Sequence, residues 1–138
     1  MMVRRVILSE YISDPPAKPG RVKIDVSGPL YDLARIRALV VDESRLWLWT
    51  ERCRKDVHEL FDSDLEQVAG LVLGPMEYIN SEWCENGKGA IAACDAYRVR
   101  RAEWVAAANR TMTMEYFVKF AIGKTGQLVL LVSCHVSR

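Results

Sequence analysis

An α+β fold, with helices packed on one face of an antiparallel sheet, is predicted by three observations in the amino-acid sequence. Apolar residues recur at spacings of three and four between Leu30 and Val72, which is the helical period. From Met76 onward the pattern changes to short runs rich in β-branched and aromatic residues, separated by glycine-containing turns. The chain has 138 residues, 50% of them hydrophobic, enough for one substantial core and too few for two ordinary domains.

Taken in order, Val3 to Leu8 reads as a strand, and Arg21-Val22-Lys23-Ile24-Asp25-Val26 alternates strictly, which places Val22, Ile24 and Val26 on one face. Asp14-Pro15-Pro16-Ala17-Lys18-Pro19-Gly20 lies between them as a stiff exposed loop. Residues 1–28 are therefore expected to form an N-terminal arm or hairpin, and 29–138 the main domain. Leu30, Leu33, Ile36 and Val40 form the stripe of a first helix, with Asp32, Arg35 and Arg37 outside. The short run Leu46-Trp47-Leu48-Trp49 follows, its tryptophans read as core. Thr50 is placed to cap a second helix with the stripe Cys53, Val57, Leu60 and Phe61. Ser63-Asp64-Leu65-Glu66 has capping-box spacing ahead of a third helix, which Gly74-Pro75 ends.

Tyr78 to Trp83 and Ile91 to Val99 read as strands joined across Asn86-Gly87. Ala102 to Asn109 reads as a helical excursion or long loop. A terminal hairpin follows, Met114 to Phe120 and Leu128 to Ser133, about Gly123-Lys124-Thr125-Gly126.

The net charge of +1 excludes strong attraction to nucleic acid through total charge alone, so any basic site must be a local patch. Arg98, Arg100, Arg101 and Arg110 form such a cluster, which is either a phosphate-binding surface or a solvated strand edge. Arg98 and Arg100 alternate with Val99 and point the same way, while Lys119 shares a face with Phe117 and Glu115. Cys53, Cys84, Cys94 and Cys134 lack C-x-x-C spacing. They read as buried thiols, although Cys84 and Cys94 can face each other across a hairpin. With no signal-peptide pattern and no apolar run long enough for a membrane span, the expected location is the cytoplasm.

From Tyr31 onward, about three quarters of the chain, the order of elements resembles the MqsR family of toxin–antitoxin ribonucleases, whose fold is of the RelE type. The resemblance is carried by Leu33-Ala34-Arg35-Ile36-Arg37-Ala38-Leu39-Val40, by Phe61-Asp62 at the helix junction, and by Leu71-Val72-Leu73-Gly74. Asp95-Ala96-Tyr97-Arg98, Tyr116-Phe117-Val118-Lys119 and Val129-Leu130-Leu131-Val132-Ser133 continue it. It implies an mRNA endonuclease that needs no metal or other cofactor and is neutralised by an antitoxin protein.

Such cleavage requires a base for the ribose 2′-hydroxyl, cations for the phosphorane and an acid for the leaving oxygen. The family's strand lysine falls on Glu82, its glutamine on Cys94 and its tyrosine on Phe117, with Tyr116 one position away. A one-residue offset turns a side chain to the opposite face unless a bulge intervenes. His135 stands where the family ends its last strand with lysine, and a histidine suits acid–base work at neutral pH. The expected catalytic set is therefore His135, Lys88 and Tyr116, with Arg98, Arg100, Arg101 and Lys119 holding RNA. The alternatives are that His135 is a terminal residue without a role, and that the chain is a catalytically silent module binding RNA or protein. In that second reading the N-terminal arm pairs with a partner or with a second copy. A small-molecule enzyme with a pocket lined by Trp47, Trp49, Trp83 and Trp104 is a third reading.

Overall fold

The seven-stranded sheet has the order β2-β4-β5-β6-β7-β3, with β1 beside the start of β5. In this computed structural model, which describes residues 5–137, the strands are β1 Val6–Ile7, β2 Val22–Lys23, β3 Leu46–Leu48, β4 Glu77–Glu85, β5 Ala90–Val105, β6 Arg110–Ile122 and β7 Val129–Val136. The helices are α1 Leu33–Val40, α2 Glu51–Phe61 and α3 Leu65–Leu73. β4 to β7 form an antiparallel meander, while β1 and β3 pair parallel to β5 and β7. The predicted α+β class, with helices on one side of a mainly antiparallel sheet, is the observed one. No helix among the described residues is long and apolar enough to cross a membrane.

α1 begins later than the apolar spacing suggests, at Leu33, with Asp32 as the N-cap accepting from Ala34 N. Leu30 and Tyr31 are withheld from the helix because their N–H groups donate to the buried Asp95 carboxylate at 3.0 and 3.1 Å. Thr50 caps α2 as expected, its hydroxyl accepting from Cys53 N. α3 is capped by Asp64 rather than Ser63, because Asp62 and Ser63 both take positive φ in the tight α2–α3 corner. Arg37 donates from α1 to the carbonyls of Val72 and Gly74 at 3.3 and 2.7 Å, satisfying the C-terminus of α3. The Phe61 and Tyr116 rings, 5.7 Å apart, seat α2 on the sheet face that carries Tyr116.

Three expectations are corrected. Val3 and Arg4 lie outside the described residues, and the rest of the N-terminal segment does not form a hairpin with itself. β1 pairs with β5 and β2 with β4, because each completes hydrogen bonds on a longer strand. The segment also reaches the interior: Ser9 is fully buried and donates to the Tyr11 carbonyl, and Tyr11 packs beside Trp83. Residues 102–109 are neither helix nor long loop. β5 and β6 stay paired out to Val105 and Arg110, and a 3-10 turn at Ala106–Ala108 with Asn109 in the left-handed region closes the ribbon. Cross-strand pairing overrides the helical preference of the alanine-rich run. Trp47 is not core: it sits on a three-residue edge strand whose Leu46 faces inward, and it is 55% exposed.

The β6–β7 turn depends on Gly126, whose φ of +77° disfavours any side chain and where a Cβ would lie 2.9 Å from Arg35 Nη2. Gly126→Ala is expected to cost about 1–2 kcal/mol, measured as a lower urea midpoint with unchanged slope.

Candidate functional site

Strand alternation places one set of polar side chains on the sheet face opposite Tyr116. Directly opposed residues share a face, and the register pairs Glu82 with Cys94, Ala96 with Lys119, Arg98 with Phe117, Phe117 with His135 and Lys119 with Ser133. The positions to which the family resemblance assigns the site, Glu82, Cys94, Phe117 and His135, thus come to one face.

The centre of this face is an ion pair between Lys119 and Glu82. Their side chains are only 3% and 12% exposed, and Arg21 approaches Glu82 at 3.9 Å from the solvent side. The Lys119 ammonium also lies 5.5 Å from the Phe117 ring centroid, and the Phe117 ring stacks on His135 at 5.2 Å and 18°. His135 Nδ1 is 2.9 Å from the Val136 carbonyl. A carbonyl only accepts, so in the neutral ring Nδ1 carries the proton and Nε2 is the basic nitrogen.

Beside this ion pair a groove of about 500 Å³ runs past the second half of β7, beyond its pairing with β3, toward the start of α2. Arg21, Arg52, Lys119, Ser133 and His135 line it, with Thr50 and Cys84 also on its wall. Arg21 and Arg52 are 74% and 71% exposed, so their charge faces solvent. Asp56 and Glu85 supply the opposing charge. The arrangement offers an oriented imidazole next to cations in a cleft open to an extended anionic chain.

The other expected residues are dispersed. Lys88 is exposed in the β4–β5 turn, where its N–H donates to the Asn86 side chain, and it is not among the residues lining the groove. Tyr116 lies on the helix face, buried, its hydroxyl donating to Glu103 at 2.5 Å. Burial, reinforced by Glu103, pushes its phenol up to about 12. The one irregularity between β6 and β7 places the extra residue, Val132, on β7 and leaves β6 alternating without a break, so Tyr116 stays on the face opposite Phe117. Arg101 shares that helix face, over the Phe61 and Tyr116 rings and bonded to Glu103. Arg98 and Arg100 are on the site face, but each is shared between Glu77 and Glu115 at 3.0 to 3.5 Å. Desolvation pushes the Glu115 carboxyl up, but hydrogen bonds from Arg100 and Ser137 and the charges of Arg100 and Arg98 together outweigh it and hold the group below its ordinary range.

Arg21 and Arg52 escaped the sequence reading because neither belongs to a basic run. One precedes a two-residue strand and the other is a solvent-facing helix position, and only the packing of β2 and α2 around the sheet brings them together. Comparison of the chain with protein-family profiles, with curated proteins and with solved structures finds no match.

Proposed function

We propose that this chain is an endoribonuclease of the toxin type, cutting single-stranded mRNA by 2′-hydroxyl attack on the adjacent phosphate. In this reading His135 Nε2 takes the hydroxyl proton as the P–O2′ bond forms, Arg21, Arg52 and Lys119 stabilise charge on the phosphorane, and the P–O5′ bond breaks with the departing 5′-oxygen taking a proton from water in the open groove. The observation that carries it is the imidazole with its Nδ1 fixed by a carbonyl, lining a groove beside three cations. The family resemblance adds independence of metal and a neutralising antitoxin protein, and the cytoplasm is the proposed setting. Lys88, Tyr116 and Arg101 have no part in this version of the site.

The test is incubation of the purified protein with a long single-stranded RNA in the presence of chelator. His135→Ala is expected to slow cleavage by about 100-fold. Equal rates for both proteins remove His135 from the chemistry, and an inert wild type sinks the ribonuclease reading.

A specific observation favours a second reading, a catalytically silent module binding RNA or protein: Lys119 is paired with Glu82, and Arg98 and Arg100 with Glu77 and Glu115, which leaves less positive charge to stabilise a phosphorane. RNA affinity that falls steeply with salt, without any cleavage, selects it. Pairing between two copies through residues 1–28 is tested by light scattering of the full chain, because deleting them would take Ser9 and Tyr11 out of the interior.

A further inference from the structure

The β5–β6 ribbon outruns the rest of the sheet. β4 pairs with β5 no further than Arg98 and β7 pairs with β6 no further than Tyr116, yet β5 and β6 stay paired with each other out to Val105 and Arg110. The two faces of this extension differ. Glu103, Val105, Met112 and Met114, on the helix side, are half-buried, whereas Ala102, Trp104, Thr111 and Thr113 on the other face are all exposed. Trp104 is 64% exposed, and its nearest positions on that face, Ala102, Thr111 and Thr113, carry side chains too small to cover an indole. Alternation puts it on the face of Arg98, Arg100 and Phe117, and so of His135.

We propose that this exposed ribbon face is a binding track for single-stranded RNA, with Trp104 as the platform on which an unpaired base stacks. It rests on the RNA reading of the groove and extends that reading to a contact outside the chemistry. Charge supports it: residues 98–115 hold four arginines and two glutamates, a net of +2, whereas the whole chain is only +1, so the remainder is slightly acidic. Arg100 stands at the root of the extension and Arg110 at its tip, both exposed, with Trp104 between them. Glu77 and Glu115 pair with Arg98 and Arg100 at 3.0 to 3.5 Å, but these are surface ion pairs of small worth, which a phosphate can replace. A single indole among alanine, threonine and arginine fits a base flanked by phosphates better than the contiguous apolar patch of a protein partner.

Arg98, Phe117 and His135 stand in one row across the sheet, and Trp104 lies six residues further along β5. At a strand rise of about 3.3 Å per residue that is roughly 20 Å. A chain bound in the groove therefore meets Trp104 several nucleotides away from His135. The platform sets affinity for the chain and takes no part at the reacting phosphate. The strong twist of a two-stranded ribbon makes the track coiled, which suits a flexible single strand and not a stiff duplex. Every base has a π-face, so stacking here selects unpaired over paired RNA without reading sequence.

The test is fluorescence anisotropy of the full chain with a labelled single-stranded 2′-O-methyl oligoribonucleotide long enough to reach from the groove to the ribbon tip. It lacks the attacking hydroxyl, so binding is read apart from cleavage. Trp104→Ala is expected to weaken binding about tenfold with its salt dependence and urea midpoint unchanged, and Trp104→Phe to keep most of the affinity. Arg110→Gln should instead reduce the slope of log affinity against log salt by about 0.7. Wild-type binding that Trp104→Ala leaves intact, or equal affinity for the same sequence in a duplex, overturns the proposal and leaves the groove reading standing. Loss of binding that tracks a lower urea midpoint assigns the ring to the ribbon's own packing, and a concentration-dependent mass that Trp104→Ala abolishes assigns it to a protein contact; either overturns it too. A wild type that binds no RNA sinks this proposal and the RNA reading together. Binding that depends on Trp104 without any cleavage of ordinary RNA upholds the track and removes only the ribonuclease.

Discussion

Lys119→Met is expected to destabilise the protein by about 3–5 kcal/mol, and Glu82→Gln by at least as much. The reason is the depth of the pair: with side chains 3% and 12% exposed, removal of one charge leaves the other without water to replace its partner. The two losses are not equivalent. After Lys119→Met, Glu82 keeps Arg21 at 3.9 Å; after Glu82→Gln, the ammonium keeps the face of the Phe117 ring and no carboxylate. The double variant removes both charges, so most of the loss should return. Urea unfolding of wild type, both single variants and the double variant measures the coupling. Additive single effects each below about 1 kcal/mol would show that the pair behaves as an exposed one. The same cycle separates structure from chemistry at the groove, because a stable double variant still presents His135, Arg21 and Arg52.

Asp95→Ala is expected to cost about 3–6 kcal/mol, since it strands three donors at once. The carboxylate is fully buried and accepts from Leu30 N at 3.0 Å, Tyr31 N at 3.1 Å and Ser81 Oγ at 2.6 Å. Those bonds set the chain's direction into α1 and tie it to β4 and β5. Asn supplies a single acceptor oxygen, so Asp95→Asn should fall between the alanine variant and the wild type.

The pH dependence carries a sign that checks the assignment. Burial pushes the Asp95 carboxyl up from its ordinary range, although all three hydrogen bonds act to lower it. The folded protein therefore holds this proton to a higher pH than the unfolded chain does. The titration contribution is fully present below the unfolded value, about 3.9, and is lost as pH rises through the folded one. Relative to Asp95→Asn, the wild type should gain stability as pH is lowered through that window. Glu10 behaves oppositely, because its hydrogen bond from Arg35 lowers its carboxyl, so its contribution is lost as pH falls through its folded value. Urea midpoints of the wild type, Asp95→Asn and Glu10→Gln across the acidic range separate the two slopes.

Much of the secondary structure was legible because its determinants are local. Thr50, the Cys53, Val57 and Phe61 positions of the α2 stripe and Gly74 each act within a few residues and hold in the structure, whereas Leu60 of that stripe faces solvent at the margin of the buried face. The Ala102–Asn109 stretch misled for the opposite reason, as its conformation depends on a strand that follows it and not on its own composition. Trp47 misled because a large apolar side chain does not specify which face of a short edge strand it occupies.

The sequence by itself determined the α+β class, the order of helices before meander, and the alternation that puts Arg98 with Arg100 and Phe117 with Lys119, since period and alternation are properties of consecutive residues; that the two pairs share one face was set by the β5–β6 register. Only the tertiary structure decided that Glu82 is the partner of Lys119, that Tyr116 and Arg101 turn to the helix side, and that Arg21 and Arg52 join His135 at one groove. Those relations rest on strand register, interrupted at Ile79 in β4 and at Val132 in β7, and on the packing of segments far apart in sequence, where a displacement by one residue reverses which side chains meet.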